Sequence, residues 1–146
     1  IILISLLIIN SSDNVQYFLF KFNISKNDQK RILFLNNFFS KPINKKTFTK
    51  DNLWKIFYYN GKKLLIDLLN YQIIKSKKDE KKLLAIINFF QDKAAPKLPI
   101  NANYLINEFN MNEGKELGLK LKKIEEKWVN NNFKISDKEI KNLAIS

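Results

Sequence analysis

Asp79-Glu80 and Glu125-Glu126 are the two places where this chain sets carboxylates side by side. Metal-assisted phosphoryl or nucleotidyl transfer needs at least two carboxylates converging on Mg²⁺, commonly from a short D-x-D on a strand. The sequence contains no D-x-D, and both pairs sit among lysines in stretches of helical spacing, which predicts solvated i,i+4 ion pairs. "GKELG", beginning at Gly114, is not a phosphate loop, because it lacks the Gly-Lys-Ser/Thr ending. Histidine and cysteine are absent. That removes the commonest general base, the Ser-His and Cys-His nucleophile pairs, and thiolate or imidazole metal sites. The expectation is no catalytic residue and no metal ligand.

What the sequence has in quantity is lysine. The formal charge is +12 and the pI near 9.8, which imply a polyanionic partner, either nucleic acid or an acidic membrane face. Lys45-Lys46, Lys62-Lys63, Lys77-Lys78 with Lys81-Lys82, and Lys120-Lys122-Lys123 would suit phosphate contact. Lysine is a point charge without base-reading geometry, so such a surface reads shape and backbone rather than sequence. The competing explanation is solubility and compositional drift. Only Arg31 is arginine, and the heavy use of Lys, Asn and Ile is how an AT-rich genome writes surfaces. The aromatic pairs Phe38-Phe39, Tyr58-Tyr59 and Phe89-Phe90, with Trp54, could stack on bases, but most lie on apolar stripes that predict core. Tyr59, Tyr104 and Phe133 are the more open cases.

"NEGKELGLKLKKIEEKW", residues 112–128, concentrates the question. Helical spacing puts Leu117, Leu121, Ile124 and Trp128 on a buried stripe and turns Lys115, Lys122 and Glu125-Glu126 outward. Gly114 falls in the first turn, with Asn112 as the expected cap. A glycine costs a helix interior about 1 kcal/mol relative to alanine, so Gly118 calls for a reason. Either it admits another helix at short distance, or Gly114 and the first-turn N–H groups receive a phosphate. The two roles are compatible.

The elements that would position these residues are helices throughout, about eight in an irregular all-α array. "IILISLLII" is too short to cross a bilayer, which needs about 20 apolar residues, and lacks the basic flank of a secretory signal. It predicts a core helix of a longer polypeptide. Ser12 or Asp13 can cap the next helix, and Ser25, with Asp28 three residues on, the one after. A polar loop around Pro42 leads to a helix that Thr49 or Asp51 can cap. Asn60-Gly61 breaks that helix before a segment apolar on nearly all sides, and more plausibly closes an antiparallel helix pair than a β-hairpin. Pro96 and Pro99 mark the clearest boundary, separating residues 1–95 from a small helical tail, 96–146. Ser136 with Glu139 has capping-box spacing for the last helix.

"LPINANYLINEFNMNEGKELGLKLKKIEEKWVNNNF" resembles the C-terminal signature of bacterial CCA-adding tRNA nucleotidyltransferases, the poly(A) polymerase family, through Leu98, Pro99, Ile100, Leu105, Gly114, Gly118, Leu121 and Trp128. "FKFNISKNDQKRIL" and "LWKIFYYNGKKLLIDLL" are similar to segments of that family's helical body. The chain departs from the pattern at Asn101-Ala102, Asn112-Glu113 and Lys26-Asn27. The resemblance implies a neck and body over 1–95, a tail over 96–146, and a tRNA-binding role. It also implies that the family's catalytic head, with its Mg²⁺ and CTP or ATP, lies N-terminal to everything seen here.

Joined to the lysine clusters, this makes Lys45, Lys46, Lys62, Lys63, Gly114, Lys115, Gly118, Lys122 and Lys123 the candidate RNA-binding residues. The expected partners are tRNA and a separate catalytic head. No cofactor is expected in this chain and no membrane, and the expected location is the cytoplasm. The competing readings are a free-standing basic helical nucleic-acid-binding module and a non-functional gene remnant.

Overall fold

A computed structural model describes residues 1–9, 14–44, 46–76 and 79–145. The expected caps Ser12 and Asp13, and Lys45, Lys77 and Lys78, lie outside the described residues. Within them the chain forms eight helices and no strand: α1 (Ile2–Ile8), α2 (Asn14–Lys21), α3 (Lys26–Phe39), α4 (Lys50–Ser76), α5 (Glu80–Gln91), α6 (Ala102–Phe109), α7 (Lys115–Asn130) and α8 (Asp137–Ile145). The all-α expectation holds. The helices gather into two compact units, Ile1–Ala95 and Pro96–Ser146.

In the first unit α4 is the element against which α1, α3 and α5 all pack. Its backbone leaves the helical region at Gly61, where φ is 83° and ψ 166°. That conformation is left to glycine, since a Cβ strains it, which is why the helical pattern stops at this residue. The segment after the break is buried along Leu64, Leu65, Leu68, Leu69 and Tyr71, as a stretch apolar on nearly all sides requires. One apolar cluster joins Ile8, Val15, Ile32, Leu35, Leu68 and Tyr71. A second joins Leu53, Phe57, Leu65, Leu69, Leu83, Ile87 and Phe90. Burying this much aliphatic and aromatic surface, at about 25 cal/mol per Å², is what holds the helices together.

Two polar groups interrupt this core. Asp67 is buried and meets Arg31, whose Nε and Nη2 donate to its two carboxylate oxygens at 2.6 and 2.8 Å. Arg31 Nη1 also donates to Asp28 at 3.1 Å. The bond to Asp67 is the foremost reason the guanidinium is held in its charged form, above its ordinary pKa. Ser5 of α1 is the second case: its hydroxyl is fully buried and has no hydrogen-bond partner among the described residues. A buried polar atom left unsatisfied carries a desolvation penalty. Ser5→Ala is therefore expected to raise stability by about 1 kcal/mol, read as a higher urea midpoint at unchanged m-value.

The second unit closes around Ile100, Leu105, Leu117, Ile124, Ile140 and Ala144. Its helix ends are built from local hydrogen bonds. Asn101 caps α6 by accepting from the Tyr104 N–H at 3.0 Å. At the end of α7 the Phe133 N–H reaches back to the Trp128 carbonyl at 2.8 Å, with Asn132 at φ 52°. Phe133 packs edge-on against Trp128 at 5.0 Å. That is a Schellman closure with its hydrophobic contact, so Phe133 serves the fold.

Ser136 and Glu139 form the expected capping box before α8. The Ser136 N–H and hydroxyl donate to Glu139 Oε2 at 3.0 and 2.8 Å, and the Glu139 N–H returns to Ser136 Oγ at 3.4 Å. The backbone and side-chain bonds from Ser136, then the nearby Lys127, hold the Glu139 carboxyl below its usual range. A carboxylate depressed on folding contributes stability that is present above its unfolded pKa and lost as pH falls through the folded one. Stability should therefore decline on acidification below about pH 4.5, and Glu139→Gln should flatten that decline. Urea midpoints across an acid pH series check this.

Candidate nucleic-acid interface

The nine candidate residues fall into two groups, one in each unit. In the second unit, α7 carries Gly118 and three lysines on one exposed surface. Lys115, Gly118 and Lys122 share a helix face at i, i+3 and i+7, with Lys123 beside them, and all four are exposed. The apolar stripe of Leu117, Ile124 and Trp128 is buried on the opposite side, joined by the half-buried Leu121. Lys120 departs from the expected cluster of three: it is buried, with 8% of its surface exposed. Its position between Leu117 and Ile124 turns it toward the packed face, a burial that a long aliphatic stem tolerates.

Gly114 corrects the expected cap. Helix α7 begins at Lys115, and Gly114 itself is the N-cap, with φ 148° and no side-chain cap bond; Asn112 is not the cap. The φ value lies where side chains are strained, which explains this glycine. Gly118 corrects the other expectation. A Cβ built on it meets nothing within 4 Å, so no other part of the described chain comes close enough to require a glycine. Intramolecular helix packing does not explain it. The bare backbone at Gly118, one turn on from an N-terminus without a side-chain cap, leaves a lysine-flanked strip open to an external ligand. Glu116 stands in that first turn as the anion favoured by the helix dipole.

Charge partners distinguish the α7 lysines. Lys127 lies 3.7 Å from Glu139, tied to the α8 capping box. Lys122 lies 4.0 Å from Glu126, with both side chains more than half exposed. A solvated i,i+4 pair of this kind is worth roughly 0.3–0.5 kcal/mol, so Lys122 is cheaply released to a stronger anion.

In the first unit Lys46 and Lys63 are exposed, whereas Lys62 is half-buried and its Nζ donates to the Gln91 carbonyl. That bond caps the C-terminus of α5, a position the helix dipole favours for a cation. Lys62 is thus engaged within the fold. Lys63 lies in electrostatic reach of Asp28, whose carboxyl is held below its usual range first by the Ser25 hydroxyl and also by Arg31 and Lys63.

The aromatics divide as well. Phe90 is fully buried, while Phe89 is half-buried with Lys50 Nζ 4.4 Å and Lys93 Nζ 5.0 Å from its ring centre. Sequence reading missed this arrangement. The i,i+4 spacing of Phe89 and Lys93 was available, but Lys50 reaches the ring only through the packing of α4 on α5.

Apolar stripes turned inward and most lysines turned outward define an all-α protein with a cationic surface. Among the described residues no group of three or more His, Cys, Asp or Glu could hold a metal ion, and no helix is long and apolar enough to cross a membrane. The chain belongs to the family described as "tRNA nucleotidyltransferase domain 2 putative", whose model matches residues 1–144. Membership gives it a tRNA nucleotidyltransferase-related role and points to RNA as its partner. No curated protein and no solved structure matches the chain.

Proposed function

We propose that this chain is the tRNA-binding C-terminal portion of a CCA-adding tRNA nucleotidyltransferase, acting in the cytoplasm. The match of the family model across residues 1–144 carries the reading. In this reading the helical units grip tRNA through phosphate contacts, while a separate catalytic head supplies the carboxylates, Mg²⁺ and the CTP or ATP site. The exposed strip of Gly114, Lys115, Gly118, Lys122 and Lys123 on α7 supports it. Lysines there can meet phosphates, and the glycines let a sugar-phosphate backbone approach the helix more closely than side chains would. Lys46 and Lys63 are the supporting contacts in the first unit, and Lys45 and Lys62 complete the proposed set.

A gel-shift titration of the full chain with tRNA, set against an unstructured RNA of the same length, tests this. Preference for tRNA is expected, with log K falling linearly against log salt as displaced counterions are released. Equal affinity for both RNAs would reduce the chain to a generic basic module. Incorporation of CTP or ATP by the chain alone would overturn the assignment of catalysis to a separate head.

A further inference from the structure

We propose that the cavity beside Phe89 receives one unpaired base of a bound RNA strand, with Lys50, Lys82 and Lys93 holding the adjoining phosphates. The inference rests on the RNA-binding reading above and adds a second mode of contact to it. The cavity has a volume of about 280 Å³, and Leu53, Ile86, Phe89 and Phe90 contribute apolar wall, with Lys50 and Lys82 as its charged members. Pockets for drug-sized ligands start at about 300 Å³, so this one suits a single planar ring system rather than a larger ligand. No carboxylate is among its lining residues. A cationic guest would find no counter-charge among these lining residues and would face two lysines already there, and a neutral apolar guest would leave the lysines without a role. A flat ring attached to an anion uses both kinds of wall, and a nucleotide is that ligand.

The ring is already set for stacking. Phe89 is held edge-on by Trp54 at 6.1 Å and by Phe90 at 5.1 Å, which fixes its plane. The ammonium groups of Lys50 and Lys93 both lie over that ring. A cation–π contact at an exposed site is weak, and two like charges sharing one ring weaken each other further. An incoming base can therefore displace them, after which their flexible stems carry the charges to its phosphates. Base–aromatic stacking of this kind is tolerant of sequence, consistent with a surface whose cations are lysines.

Trp54, in contact with Phe89 and Phe90, provides the readout once Trp128, the other tryptophan, is replaced by Phe in the parent and in every variant. The full chain is titrated with a short oligoadenylate, with a fully paired RNA hairpin of matched charge, and with tRNA, following tryptophan emission and the anisotropy of labelled RNA. The oligoadenylate is expected to shift the emission. Phe89→Leu should weaken oligoadenylate binding about tenfold while leaving the hairpin unchanged. Lys82→Glu, an exposed substitution that does not touch the core, should weaken it in the same direction. If tRNA binds but the oligoadenylate leaves the emission unchanged, or if both variants bind it like the parent, the base pocket is refuted and the tRNA reading stands. If no RNA binds at all, both fall together.

Discussion

Asp67→Ala is expected to cost the first unit about 3–5 kcal/mol, the range for removing one partner of a buried ion pair. Only 5% of Asp67 is exposed, and the Arg31 side chain facing it is 17% exposed, so solvent cannot take over the lost contacts. The substitution leaves a guanidinium with Asp28 at 3.1 Å as its remaining carboxylate. Domains of this size are stable by roughly 5–15 kcal/mol in all, so the loss is a large fraction of the total. At about 4–8 °C per kcal/mol, thermal unfolding followed by circular dichroism should shift down by more than 10 °C. Arg31→Lys should cost less than Asp67→Ala but more than an ordinary surface exchange. Lysine keeps the charge yet cannot donate two parallel bonds at 2.6 and 2.8 Å to one carboxylate. A paired Arg31→Met, Asp67→Leu replacement should recover much of the loss, since isosteric apolar pairs often match buried ion pairs. A shift for Asp67→Ala below about 1 kcal/mol would mean the pair is solvated and not structural.

That pair also marks where sequence legibility ends. Ser25, Asn101 and Ser136 stand where helices begin, and local chemistry alone is enough to cap them. Ser25 and Ser136 could be read from the three-residue spacing to Asp28 and Glu139, but Asn101 passed only as a departure from a family pattern. Gly61 was readable for the same reason: a single residue decides whether the helical backbone continues. What joins residues 36 apart, as Arg31 and Asp67 are, has no local signature. One signal did exist. Among 26 cations there is a single arginine, and it stands where a planar fork is used, which lysine cannot supply. The same boundary separates the readable from the unreadable in the candidate interface. The outward face of α7 follows from period 3.6, yet Lys120, at the margin of that face, turned inward once α6 and α8 were packed. Packing was one of two readings open for Gly118, because a glycine is often explained by a close neighbour, and only the folded chain shows that no described residue lies within 4 Å of a Cβ there.

That empty space gives the interface its sharpest test. The double charge reversal Lys122→Glu, Lys123→Glu is expected to weaken tRNA binding on the order of tenfold near physiological salt and to lower the salt slope by about two. Both lysines are exposed, and the Glu126 partner of Lys122 at 4.0 Å is a surface contact worth little. The variant should thus fold like the parent, and any loss of binding belongs to the interface. Reversal at Lys127 makes the contrasting control. It would disturb the contact with Glu139 and should change stability before it changes the salt slope. Gly118→Ala separates charge from approach: it restores helix propensity by about 1 kcal/mol and adds a Cβ with nothing to strike among the described residues. If a phosphate backbone lies against α7 at that point, the stabilised variant should bind tRNA more weakly at every salt concentration, with the slope unchanged. A more stable protein that binds tRNA as well as the parent would move the contact off this helix, and unchanged binding by the double reversal would remove α7 from the interface altogether.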